Sequence, residues 1–317
     1  MSLRDKLAAR TRLRALNTQQ AAQAQASPVA ARIEGRLAAK MESARRRNPN
    51  PDVQEIVRIC DLPVMPTELP KEEVERISRE NILATAFAKG ARLLEPQARA
   101  ITAYDLVGGG FFPIGVGWGK TGISLMIAER GWRKGFGKIV LQVPPSVTSQ
   151  LVTHDIGWWR QRVPLSVPFH VLAGKSKAQR MKMARSGFKG CYIIPYSMLS
   201  TEDSVEVLRL IDPQLVICDE GHNLKNFSAA RTRRLMNFVT EKEPDFVVAS
   251  GTITDKGVED YHHLISAALG DNSPLPLSNM MAMQWGVVLN SGAQPTENQA
   301  GTLMPLIEWA KTHFPNE

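Results

Sequence analysis

The sequence predicts a doubly wound α/β domain, a mostly parallel sheet flanked by helices. Two observations carry this. Continuously apolar runs at 111–114, 139–143, 169–172, 192–194, 215–218 and 246–249 read as strands covered on both faces, since a strand with one wet face would alternate. Helix-length segments opening near Lys120, Val147, Lys175, Val205 and Ser228 separate them, so strand and helix alternate along the chain. In such folds ligands bind beyond the carboxyl ends of the strands, which is where the polar signatures fall.

The region before the first strand is built differently. Residues up to about 47 are rich in Ala, Arg and Gln and have helical propensity without a sustained apolar stripe, which predicts a basic arm, helical or disordered. Asn48-Pro49-Asn50-Pro51 breaks any helix there, and the Pro-rich stretch 63–70 is a second linker. Residues 71–89 follow as an amphipathic helix with Val74, Ile77, Ile82 and Phe87 toward the core. The expected division is an arm and linker over 1–70, a lobe over 71–275 and a C-terminal extension over 276–317. That extension, with Trp285, Trp309 and Phe314, is either a docking surface or the edge of the lobe.

Composition narrows the class. The chain has 317 residues and is 43% hydrophobic, enough for one full α/β core and an extra segment. No apolar run approaches the roughly eighteen residues a membrane helix needs, and no apolar core follows the charges of the N-terminus, which predicts a cytoplasmic protein without a membrane partner. Cys60, Cys191 and Cys218 lack paired or metal-type spacing, and the last two sit in apolar runs as core thiols. The net charge is +8, with much of the excess in the first sixty residues, including Arg45 to Arg47, and a second cluster at Arg231, Arg233 and Arg234, which is compatible with a polyanionic partner.

After the first strand comes Ile114-Gly-Val-Gly-Trp-Gly-Lys-Thr121, which opens a helix. Glycines let the backbone curl until its N–H groups converge on the β- and γ-phosphates of a nucleotide, and the helix N-terminus adds partial positive charge. Gly117, Gly119 and Lys120 are the expected phosphate contacts, and the Thr121 hydroxyl the expected ligand of Mg²⁺. The first position of the general phosphate-loop pattern is Gly, whereas here it is Ile114. Trp118 has two readings, packing against a neighbouring element or shielding the nucleotide.

Further on, Leu215-Val-Ile-Cys-Asp-Glu-Gly-His222 ends an apolar strand in two carboxylates. Asp219 is placed to hold Mg²⁺ and Glu220 to orient and deprotonate an attacking water. The cradle and the acid pair are expected to converge across adjacent strand tips. Ser250, Gly251 and Thr252, at the end of the last strand, can bond both the acid turn and a mobile partner surface, which suits a coupling role.

Together these residues resemble a known family. Asp219-Glu-Gly-His-Asn-Leu-Lys-Asn226 is similar to the acidic box of Swi/Snf-type superfamily 2 ATPases, and Gly117 to Thr121 keep that superfamily's Gly-x-Gly-Lys-Thr. Ser250-Gly-Thr-Ile-Thr-Asp255, with Glu259 and Leu264, resembles motif III, with Ile253 for the usual Pro and Asp255 for the usual Asn. Leu141-Gln-Val-Pro-Pro-Ser146 looks like motif Ia, Pro195-Tyr-Ser197 like motif Ib, and Leu94-Glu-Pro-Gln97 like the adenine-reading motif. The resemblance covers roughly residues 90–270.

It implies a RecA-like ATPase lobe using ATP and Mg²⁺ in DNA translocation or unwinding. Gln97 would read the adenine, and Lys120, Asp219 and Glu220 would run hydrolysis. His222 would couple the acid pair to motif III, unless it is simply a satisfied histidine at a strand end. Pro145, Ser146, Tyr196 and Ser197 would form the nucleic-acid face, contacting phosphates rather than base edges, with DNA favoured over RNA. Trp158 and Trp159 are expected in core or interface rather than stacked on bases.

Motors of this family use two RecA-like lobes, and the segment after motif III is too short for a second one and holds no Arg. A missing arginine finger costs roughly 10³–10⁵ in rate, so the isolated chain is expected to bind ATP and turn it over very slowly. Either a second lobe on another polypeptide is the expected partner, an arrangement that would suit a compact bacteriophage genome, or the chain is a truncated form of a longer motor. The alternative is a nucleotide-dependent DNA- or protein-binding module with vestigial hydrolysis.

Overall fold

The computed structural model describes residues 51–62, 68–251 and 260–283. Residues 1–50, the linker at 63–67, Thr252 and the rest of motif III to Glu259, and the tail from 284 lie outside the described residues.

Six strands form one sheet, all parallel, in the order β1-β6-β5-β2-β4-β3. They are β1 (Gly110–Pro113), β2 (Lys138–Val143), β3 (Phe169–Val171), β4 (Gly190–Pro195), β5 (Leu215–Asp219) and β6 (Asp245–Ser250). Parallel neighbours need crossovers, and the chain supplies them as helices. These are α5 (Lys120–Arg133), the run α6 (Pro145–Gln150), a π-turn (Leu151–Asp155) and α7 (Ile156–Arg160), then α8 (Lys177–Arg185), α9 (Ser204–Ile211) and α10 (Ala230–Lys242). The architecture is a doubly wound α/β lobe, a parallel sheet flanked by helices, as the strand–helix alternation predicts.

Every residue of β4 and β5 is buried, which explains why those strands read as apolar runs without alternation. On one face Ile123, Leu125 and Ile127 of α5 pack with Ile139, Leu141, Leu215 and Ile217. Val140, Tyr192 and Val216 point the other way and are equally buried, as are Leu208 and Ile211 of α9 and Leu235 and Phe238 of α10. Each such side chain contributes about 1.5–3 kcal/mol relative to exposure, so the two apolar layers dominate stability.

Between the linker at 63–67 and β1 stand α2 (Lys71–Asn81), α3 (Ala84–Ala88) and α4 (Glu95–Val107). The single helix expected over 71–89 is therefore broken. Ile82 turns extended, at φ −104° and ψ 140°, and its side chain is buried, while the Leu83 amide donates to the Arg162 carbonyl at 2.7 Å. Tertiary burial of Ile82 outweighs one more helical turn.

The described residues fall into two compact units. Thr67–Thr254 and His263–Leu269 make the larger, which contains the sheet. The smaller includes α1 (Pro51–Cys60), where the Arg58 guanidinium pairs with Glu55 and donates to the carbonyls of Asp271, Ser273 and Leu275 at 2.7–2.8 Å. Among the described residues, no helix is long and apolar enough to cross a membrane.

Candidate nucleotide-binding site

The phosphate loop runs from the tip of β1 into α5. Ile114 continues the strand, its amide donating to the Ser250 carbonyl at 3.0 Å, and its side chain is buried. That is why an apolar residue stands where the general pattern has glycine: the position belongs to the core. Curling begins later, with Gly117 at φ +88° and Gly119 at φ +73°, conformations that L side chains avoid. Gly119 also leads α5, whose first residue is Lys120.

Lys120 is buried, and its ammonium lies 3.2 Å from Glu220 Oε1 and 3.2 Å from the Gly115 carbonyl. The Thr121 hydroxyl donates to Asp219 Oδ2 at 3.1 Å. The cradle and the acid pair therefore meet, but not across adjacent strands as the motif order predicts. β6 lies between β1 and β5, and its tip fills the gap. A Cβ on Gly251 would stand 2.9 Å from the Lys120 ammonium, so the glycine after β6 makes room for that lysine.

Asp219 is 3% exposed. Its Oδ1 is buried without a hydrogen-bond partner among the described residues, whereas Oδ2 holds Thr121. Burial, and after it the charge of Glu220, raises the carboxyl from its ordinary 3.8 to about 6. An orphaned carboxylate oxygen beside a hydroxyl is the donor set a hard cation takes, so the residues fit Mg²⁺ bound through one or two protein oxygens.

Glu220 itself has φ +57°, in the left-handed region, and remains partly exposed. Its Oε2 lies 3.3 Å from His222 Nδ1, so His222 turns toward the acid pair. Gly221 has a structural cause: a Cβ there would collide with the Val248 side chain of β6, so the acid turn packs directly on the motif III strand.

Gln97 is buried in the first turn of α4, with both ends of its amide engaged. Oε1 accepts from the Leu94 amide at 3.0 Å, and Nε2 donates to the Trp118 carbonyl at 3.2 Å. In this arrangement Gln97 holds the phosphate loop. Trp118 is 47% exposed and lies against Gly115, so its ring is not absorbed by the core.

On the expected nucleic-acid face, Val143 of β2 and Pro195 of β4 are paired, so the turns after them emerge side by side. Pro145 and Ser146 are exposed in the first turn of α6, and Ser197 is exposed in the 3-10 turn Tyr196–Ser200. Tyr196 is not on the surface. It is 1% exposed, and its hydroxyl donates to the Asp219 carbonyl at 2.9 Å.

Of the tryptophan pair, Trp159 packs on the core while Trp158 is exposed beneath the Arg162 guanidinium, 3.4 Å from its ring centre. Ser250 is buried, and Thr252 lies outside the described residues.

Two contacts escape a reading by motif. A Cβ on Gly122, in the first turn of α5, would collide with the Trp159 ring. A glycine inside a helix is the sequence signal for such an approach. Asn223 holds Glu220 from behind, donating from Nδ2 and from its amide to the Glu220 carbonyl at 2.9 and 3.1 Å. Nothing in its local pattern announces that.

No protein-family model matches the chain. Over 73 residues it is 36% identical to the DNA repair and recombination protein RAD54B of Gallus gallus, a match covering 23% of this chain and 7% of that protein. Among solved structures it is similar to the Sulfolobus solfataricus SWI2/SNF2 ATPase core in complex with dsDNA, with 16% identity and a TM-score of 0.42, covering 68% of this chain and 46% of that one. The chain thus spans less than half the length of either.

Proposed function

We propose that the chain is the ATP-binding lobe of a Swi/Snf-like superfamily 2 DNA translocase or helicase, in which ATP hydrolysis is coupled to movement along duplex DNA. One observation carries the reading. The Lys120 ammonium, the Thr121 hydroxyl and the carboxylates of Asp219 and Glu220 meet within hydrogen-bond or ion-pair distance at the strand tips.

Nucleotide binding exchanges the Lys120–Glu220 pair for contact between Lys120 and the terminal phosphates, which frees Glu220 to take a proton from water. Thr121 and Asp219 would hold Mg²⁺, which supplies charge neutralisation across those phosphates. The loop amides and the N-terminus of α5 orient the triphosphate. Gln97 holds the loop in register for it. The exposed turns at Pro145, Ser146 and Ser197 would take the DNA backbone, and the basic balance of the chain favours that partner. Phosphoryl transfer of this kind also draws on an arginine, which we assign to a second RecA-like lobe.

The test is phosphate release from Mg·ATP with and without duplex DNA, in the wild type and in Glu220→Gln. DNA-stimulated release that the variant abolishes supports the reading. A wild-type chain that fails to bind Mg·ATP overturns it.

A further inference from the structure

We propose that Tyr196 is a positioning residue for hydrolysis: its hydroxyl fixes the Asp219–Glu220 peptide and thereby aims the Glu220 carboxylate. This deepens the proposed function and rests on it.

Glu220 occupies left-handed backbone at φ +57°, which for a glutamate is held by its surroundings rather than by its own preference. From the front the Tyr196 hydroxyl donates to the carbonyl of the preceding residue at 2.9 Å. From behind Asn223 donates twice to the carbonyl of Glu220 itself. The two peptides that flank Glu220 are therefore each held, the one before it by Tyr196 and the one after it by Asn223.

The Tyr196 clamp is enclosed. Its ring and its hydroxyl bond are both buried, so solvent has no ready access to replace it. Burial pushes the hydroxyl's titration well up, and it stays a proton donor at any working pH. A rotation of the 219–220 peptide would swing Glu220 away from Lys120 and His222 and leave Asp219 bonded to Thr121.

Tyr196 also opens the turn that exposes Ser197 on the proposed DNA face. One residue thus ties that turn to the hydrolytic carboxylate. A polynucleotide pressing on Ser197 acts on the peptide that aims Glu220 through a single buried hydrogen bond.

The experiment is single-turnover hydrolysis of γ-labelled ATP, with the protein in excess and duplex DNA present, together with Mg·ATP affinity and melting temperature. Wild type, Tyr196→Phe, Glu220→Gln and the double variant are compared. Phe keeps the ring volume, so removal of the hydroxyl alone should slow the step by about five- to thirtyfold, with Mg·ATP affinity little changed and the melting temperature lowered only by the few degrees one buried hydrogen bond is worth. In the Glu220→Gln background the same change should cost no further rate, because the group being aimed is gone.

A Phe variant within twofold of wild type overturns the inference and leaves the proposed function standing. So does a rate loss that persists in the Glu220→Gln background, or one accompanied by loss of Mg·ATP affinity, since the hydroxyl would then serve the fold of the site and not the aim of Glu220. A wild type that does not bind Mg·ATP, or hydrolyses it no faster than Glu220→Gln, overturns the proposed function itself.

Discussion

Two turns meet at the candidate site, and they reach left-handed backbone by opposite means. The phosphate loop uses glycine, at Gly117 and Gly119, where positive φ carries no side-chain penalty. The acid turn uses Glu220, whose φ of +57° is sustained by Tyr196, Asn223 and the close seat of Gly221 on Val248. The loop carries its shape in its own residues, whereas the acid turn, besides its own Asn223, borrows its shape from two other parts of the fold, Tyr196 and Val248. Damage to the loop should therefore act where it is made, and damage to the acid turn should be possible from a distance.

The largest expected effect separates chemistry from shape. Glu220→Gln keeps the turn and removes the proton acceptor, so turnover should fall by roughly 10²–10⁴-fold. The carboxylate that competes for Lys120 is also gone, so Mg·ATP affinity should stay equal or rise. Paired measurements of phosphate release and nucleotide affinity check this. A parallel loss of both would mean that the turn had collapsed.

Next comes Asp219→Asn. The carboxyl titrates at about 6 in the fold against 3.8 for an unperturbed aspartate, so the fold favours its neutral form. The stability from that preference is complete below about pH 4 and is lost as pH rises through about 6. Above that window the buried charge is a cost. The Asn variant should be more stable than wild type at pH 7 by on the order of 1–3 kcal/mol, and the difference should vanish in acid. Binding of Mg·ATP needs the ionised form, so affinity should weaken as pH falls through about 6 in wild type. Denaturant unfolding at several pH values, paired with binding titrations, checks both signs.

A smaller effect isolates packing on the loop side. Gly122 stands in a helix, where Ala is normally favoured by about 1 kcal/mol, yet its Cβ would strike the Trp159 ring. Gly122→Ala should lose about 1–3 kcal/mol through overpacking, and Trp159→Leu in the same chain should recover part of it. A double-mutant cycle by thermal unfolding checks this. If the two changes simply add, the ring and the helix do not press on each other.

The same contrast explains how much of the fold and of the site is legible in the sequence. The strands are legible because burial on both faces leaves continuous apolar runs, and the phosphate loop because Gly117, Gly119, Lys120 and Thr121 state their own geometry. The acid pair is legible as chemistry, but its turn is not, since Tyr196 and Asn223 are ordinary residues in local pattern. Strand order escapes for a related reason: that β6 lies between β1 and β5 depends on pairing between distant segments, which no local signal encodes. The break at Ile82 likewise reflects a burial partner rather than a breaker residue.

The smallest effect probes the borrowed conformation directly. Glu220→Ala and Glu220→Gly both delete the carboxylate, its pairing with Lys120 and its approach to His222, so those losses cancel when the two variants are compared. What remains is the backbone. Ala at φ +57° carries a left-handed cost of roughly 1–2 kcal/mol, which Gly escapes, while Gly gives back about 0.5–1 kcal/mol through the greater freedom of its unfolded chain. The Gly variant should therefore be more stable than the Ala variant by about 0.5–1 kcal/mol in denaturant unfolding. Adding Tyr196→Phe should widen that gap if the hydroxyl is what holds the peptide, because Ala then loses its outside support and Gly needs less of it. Equal stabilities for Gly and Ala would mean that the chain relaxes out of the left-handed region once Glu220 is gone, so that the side chain's own pairing with Lys120, rather than the clamp, holds the turn in place.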